Sequence, residues 1–142
     1  MDNDKKKKVL IVDDEKMNIM ALAQFLNMQY EVLVSTSGEE GLKVAEEQLP
    51  DIILLDVIMP GLTGFDVIEK LKMKEATKYI PVVFITGLAN ESNIEKGLRL
   101  GAVEYISKPF EKAIVVKRVE THLLLADYQN KERKGLPSFL NP

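Results

Sequence analysis

The chain has 142 residues, 46% hydrophobic and 29% charged, with a formal net charge of −3; that length supports one domain with its own core, and the charge balance gives no drive to bind nucleic acid through its phosphates. It contains no cysteine, which excludes disulfides, thiolate metal sites and cysteine nucleophiles and fits a reducing compartment. No apolar run approaches the roughly 20 residues that span a bilayer, and the start, MDNDKKKK, lacks an apolar signal core, so a cytoplasmic protein without membrane partners is expected.

In chain order, residues 1–7 read as a flexible, solvated lead, with the Lys5–Lys8 run at its end. "VLIV" (9–12) is then the first of five short apolar runs, followed by "YEVLV" (30–34), "DIILL" (51–55), "IPVVFIT" (80–86) and "VEYI" (103–106). Each is too short for a helix, rich in β-branched residues and continuous rather than alternating, which marks strands buried on both faces. Amphipathic segments fill the gaps. Ile19, Leu22, Ala23 and Leu26 form one helical stripe. Ser37 with Glu40 predicts a capping box for a helix carrying Leu42, Ala45 and Leu49 and stopped by Pro50. Helices are expected over 64–74 and 90–100, the second closed by Gly101, and Pro109 is expected to open a last helix in which Val115, Val119, His122, Leu123 and Ala126 share a face. Five strand-then-helix units predict a doubly wound α/β fold, a five-stranded parallel sheet with helices on both faces. The polar stretch from Asp127 and the Gly- and Pro-containing end read as a helical extension and linker-like tail, 127–142, after a domain over 8–126.

Ligands of open parallel sheets bind beyond the carboxyl ends of the strands. The first apolar run leads to Asp13 and Asp14, the third ends at Asp56, the fourth at Thr86, and the fifth leads to Lys108. The second leads only to "STSG" and its capped helix. Clustered carboxylates beside an apolar sheet are tolerated when a divalent cation joins them, and oxygen ligands with open positions suit Mg²⁺. Zinc is disfavoured, since the single histidine, His122, lies far along the last helix. Asp56 has the most apolar surroundings, DIILLDVIMPGLTG. A carboxylate held there beside a metal can attack phosphorus and carry the phosphoryl group as an acyl phosphate. The metal and Lys108 would offset charge on the phosphoryl oxygens, and Thr86 would donate to one of them. Singly, Asp13 and Asp14 also fit a turn or helix cap, Thr86 a strand-end cap and Lys108 a surface lysine. The set is what points to chemistry.

These residues carry a resemblance. "VLIVDDE", "PDIILLDVIMPGLTGFDVI", "PVVFITG" and "GAVEYISKPF" resemble the motifs of response-regulator receiver domains, the CheY-like, flavodoxin-like fold of strand order 2-1-3-4-5, over about residues 7 to 126. The resemblance implies Asp56 as phosphoacceptor, Asp14 as a direct Mg²⁺ ligand, Asp13 as a ligand acting largely through water, and the Ile58 backbone carbonyl as the remaining protein ligand. It assigns phosphoryl contacts to Thr86 and Lys108, a cis Lys108–Pro109 bond, and a switch in which Thr86 moves toward the phosphoryl group while Tyr105 rotates inward. The alternation in "VEYISK" is compatible with Tyr105 facing outward. Ile58 and Leu88 occupy the two positions that tune phosphoryl lifetime, and both are apolar.

The function so implied is a phosphorylation-controlled switch of a two-component system or phosphorelay. A histidine kinase or phosphotransfer protein would supply the phosphoryl group, and an output domain or effector protein would read the altered surface. The face of the fourth helix, fifth strand and fifth helix, or the C-terminal helix, would serve a homodimer. Such a domain catalyses only its own phosphorylation and dephosphorylation and is not an enzyme of metabolism. Phosphatases of the haloacid dehalogenase type also use an aspartyl nucleophile, but as D-x-D after the first strand and with a cap for which this length leaves little room.

Overall fold

The computed structural model describes residues 5–136; the first four residues of the lead and 137–142 of the tail lie outside it. Five strands, β1 (Lys8–Val12), β2 (Glu31–Ser35), β3 (Ile52–Leu55), β4 (Val82–Thr86) and β5 (Glu104–Ser107), alternate with helices α1 (Lys16–Leu26), α2 (Gly38–Gln48), α3 (Gly64–Lys72), α4 (Glu91–Arg99) and α5 (Lys112–Lys134). The strands form one parallel sheet in the order β2-β1-β3-β4-β5.

Alternate strand residues point to opposite faces, and both faces are covered. Leu10, Val12, Ile53, Leu55 and Phe84 pack with Ala45 of α2 and Val67, Ile68 and Leu71 of α3. Val9, Ile11, Ile52, Leu54, Val83, Ile85 and Ile106 pack with Ile19, Leu22 and Leu26 of α1 and Val115, Val119 and Leu123 of α5. This two-sided burial is why the strands read as continuous apolar runs. Each such side chain contributes about 1.5–3 kcal/mol, and truncating Leu54 to alanine would cost about 2–5 kcal/mol.

Local chemistry sets the helix ends. Ser37 caps α2 by accepting from the Glu40 N–H, but the Glu40 carboxylate reaches the Thr36 N–H at 3.0 Å, so the expected box is displaced by one residue. A full capping box stands at α3, where Thr63 and Asp66 bond each other's backbone N–H. Pro109 does not open α5; its peptide with Lys108 is cis, and the helix begins after Glu111. Past the sheet, α5 continues to Lys134, held by a Lys7–Asp127 ion pair of 2.7 Å and by Arg133 stacked 3.6 Å over the Tyr79 ring. Among the described residues, no helix is long and apolar enough to cross a membrane.

Candidate functional site

Parallel register places the chemistry in a row. Val12 pairs with Leu55, Leu55 with Phe84, and Thr86 with Ser107. The residues that follow β1, β3 and β5 therefore emerge at one sheet edge, beside the end of β4. Asp56 begins there, its N–H donating to the Val12 carbonyl at 2.9 Å, and the Asp13 N–H donates to the Ser35 carbonyl. Lys108 follows β5, its N–H bonded to the Thr86 carbonyl. Close under Asp56 runs the start of α3. A Cβ on Gly64 would sit 2.3 Å from the Asp56 carbonyl oxygen, so only glycine lets the helix begin this near the strand end.

Asp13 is 2% and Asp56 4% exposed, and Thr86 is fully buried. Lys108 Nζ lies 2.9 Å from Asp13 Oδ2, 2.9 Å from Asp56 Oδ2 and 3.3 Å from Glu15 Oε1. Two nearly buried carboxylates and a third at the rim thus share one ammonium. Burial pushes the Asp13 carboxyl up, and the Asp56 charge adds to it, against hydrogen bonds from the Glu15 N–H and Lys108. Burial pulls the Lys108 ammonium down, yet its hydrogen bonds to Asp56 and Asp13 and their charges together hold it above its ordinary range. Oxygen atoms of Asp13, Glu15 and Asp56 all lie within 4.8 Å of one another. Three carboxylates against one ammonium leave two negative charges unbalanced, and an all-oxygen donor set of that charge fits a hard divalent cation.

Glu15 is the member sequence reasoning did not single out as a ligand, although it stands in the same acidic run. Asp14 is exposed and outside the group. The Glu15 carboxylate is engaged by Asn18 at 2.6 Å and by Lys108. Ile58 lies in the loop after β3, its N–H donating to Asp56 Oδ1 at 3.2 Å and its side chain exposed. Thr86 Oγ1 accepts from the Leu88 N–H at 3.2 Å, and the Tyr105 hydroxyl donates to the Leu88 carbonyl. Tyr105 is half-buried, not turned outward: its ring lies 5.5 Å from that of Phe84, and a Cβ on Gly97 would touch it at 2.9 Å. A glycine on α4 is thus what gives the ring its place.

Five parallel strands in this order, with carboxylates, a hydroxyl and an ammonium at their carboxyl edge, define a CheY-like, flavodoxin-type α/β domain with an acidic pocket. The chain belongs to the response regulator receiver domain family, whose model matches residues 9–120. It is 38% identical over 133 residues to the response regulator PleD of Caulobacter vibrioides, covering 90% of this chain and 29% of PleD. It is 32% identical over 117 residues to protein PilH of Pseudomonas aeruginosa, covering 82% of this chain and 97% of PilH. The crystal structure of a CheY-like response regulator receiver domain protein from Methanospirillum hungatei superposes with a TM-score of 0.82 at 26% identity, covering 88% of this chain and 99% of that one. The chain spans less than a third of the first curated relatives it matches, PleD among them. Receivers of this family are the phosphoacceptor modules of two-component signalling.

Proposed function

We propose that this chain accepts a phosphoryl group on Asp56 from a histidine kinase or phosphotransfer protein, in a Mg²⁺-dependent reaction, and that the resulting conformation is read by an output domain or effector. The receiver occupies 8–126 and the extension 127–142. One observation carries the reading: a carboxylate 4% exposed, 2.9 Å from an ammonium that a second buried carboxylate shares.

Asp56 forms a bond from a carboxylate oxygen to phosphorus as the phosphorus–nitrogen bond of the donor phosphohistidine breaks, and the imidazole keeps the electron pair. Lys108, already positioned beside Asp56, turns its charge to the arriving phosphoryl oxygens. Thr86 Oγ1, now accepting from Leu88, donates a hydrogen bond to one of them. Asp13, Asp14, Asp56 and the Ile58 carbonyl would hold Mg²⁺, with Glu15 at the rim. Bound Mg²⁺ supplies the positive charge that offsets charge growing on the transferred group. Because Thr86 and Tyr105 share Leu88, rearrangement at Thr86 biases the position of Tyr105 on the α4–β5–α5 face, and with it partner binding or pairing of two copies. No metabolite is turned over, and the protein works in the cytoplasm.

Beryllofluoride, a phosphoryl mimic, tests this. With Mg²⁺ present, the amide signals of Asp56, Thr86, Leu88 and Lys108 are expected to shift in the native chain and stay fixed in Asp56→Ala. A native chain that does not respond overturns the reading.

A further inference from the structure

Two lysines and a histidine gather at the other end of the sheet, where β4 and β5 begin. There a cavity of about 370 Å³ opens between the α3–β4 connection and α5, and none of the residues lining it is acidic. Its polar rim carries Lys72, Lys78, Tyr79 and His122, and Val103 and Leu125 form apolar wall. A five-residue strand separates it from Asp56, a distance of about 15 Å.

The polar groups here are unevenly matched. Lys78 pairs with the exposed Glu75 at 3.1 Å, and His122 Nε2 lies 3.1 Å from Glu104 Oε1. Lys72, the last residue of α3, is half-buried and donates to the Lys78 carbonyl at 3.0 Å. Among the described residues, no carboxylate stands within ion-pair distance of it. Burial alone pulls its ammonium below the ordinary lysine range. A half-buried cation without a counter-charge is a favourable place for an anion to join. The receiver chemistry makes no use of this lysine.

We propose that the cavity binds a small phosphomonoester with an apolar or aromatic body, its phosphate on Lys72 with Lys78 and His122 alongside, and its body against Val103 and Leu125. Two ammonium groups on one rim match a dianion better than a single carboxylate. The volume falls within the range of sites that enclose small ligands. This assignment stands apart from the reading of Asp56.

Phenyl phosphate is the probe, added to the whole chain without Mg²⁺ and followed by amide and ring signals. Saturable shifts at Lys72, Tyr79 and His122 are expected, with affinity about tenfold weaker in Lys72→Met and unchanged in Asp56→Ala. If Lys72→Met does not fold, Lys72→Gln is expected to show the same loss. Benzoate, a monoanion of similar shape, is expected to bind more weakly. The proposal is overturned by no saturable shift up to about 10 mM, by shifts centred on Asp56 and lost in Asp56→Ala, by undiminished binding when Lys72 is replaced, or by equal binding of benzoate.

Discussion

Thr86 and Tyr105 meet on one residue: the Thr86 hydroxyl accepts from the Leu88 N–H at 3.2 Å, and the Tyr105 hydroxyl donates to the Leu88 carbonyl. A buried side chain at the sheet edge is thereby tied to a half-buried ring on β5 through a single residue, Leu88. Replacing Thr86 by valine keeps the bulk and removes the hydroxyl. In Thr86→Val, beryllofluoride with Mg²⁺ is expected still to shift Asp56 while the Tyr105 ring signals stay at their resting positions. Ring signals that move as in the native chain would break the link.

Lys108 is the shared counter-charge of Asp13 and Asp56. Lys108→Met leaves both carboxylates buried without it, which is expected to cost about 2 kcal/mol or more at neutral pH. The pH dependence follows from the raised Asp13 carboxyl. As pH rises past its unfolded value the unfolded chain loses its proton first, so folding weakens until the folded group has also ionised. Without Lys108 that weakening deepens and extends upward in pH. The raised Lys108 ammonium adds stability that is complete below its unfolded value and is lost only as pH rises through the folded one. Urea denaturation should therefore show the largest gap between native and variant chains near neutrality and a smaller one toward about pH 4.

Two carboxylates close to Asp13, those of Asp14 and Glu15, are rival ligands for the proposed Mg²⁺. That of Glu15 is engaged by Asn18 and Lys108, whereas the exposed Asp14 carboxylate has no hydrogen bond or ion pair among the described residues. Asp14→Asn is expected to weaken Mg²⁺ binding about tenfold or more, and Glu15→Gln far less. Isothermal titration measures both, and chelating the metal should abolish phosphorylation by acetyl phosphate. A larger loss in Glu15→Gln would make the rim carboxylate the ligand.

Ile58 and Leu88 flank the Asp56 site with apolar side chains, Ile58 exposed and Leu88 half-buried. Neither can orient an attacking water through a hydrogen bond. The phosphorylated protein is expected to decay over minutes or longer, and Ile58→Asn to decay faster. Loss of the acyl phosphate within seconds in the native chain, with Mg²⁺ present, would contradict this.

Much of this site was legible because its residues follow strands. The runs before Asp13, Asp56 and Thr86 are apolar without interruption, since both sheet faces are covered, and parallel register then brings their ends together. What escaped depends on a few ångströms or on another element. Glu40 bonds Thr36 rather than Ser37 because its carboxylate reaches past the cap. The Thr63–Asp66 box uses aspartate at the third position, where the usual pattern has glutamate or glutamine. Pro109 suits a first helical turn, but its cis peptide belongs to the turn after Lys108. Tyr105 turns inward because Gly97, eight residues away on α4, leaves room for the ring, a contact that strand alternation alone does not reveal.

Covalent phosphorylation of one named carboxylate is the claim beneath all of these. Intact-mass measurement after incubation with acetyl phosphate and Mg²⁺ tests it most directly. The native chain is expected to gain about 80 Da, lost on hydroxylamine treatment, while Asp56→Ala gains nothing. An unmodified native chain, or an adduct that persists in Asp56→Ala, would contradict the account.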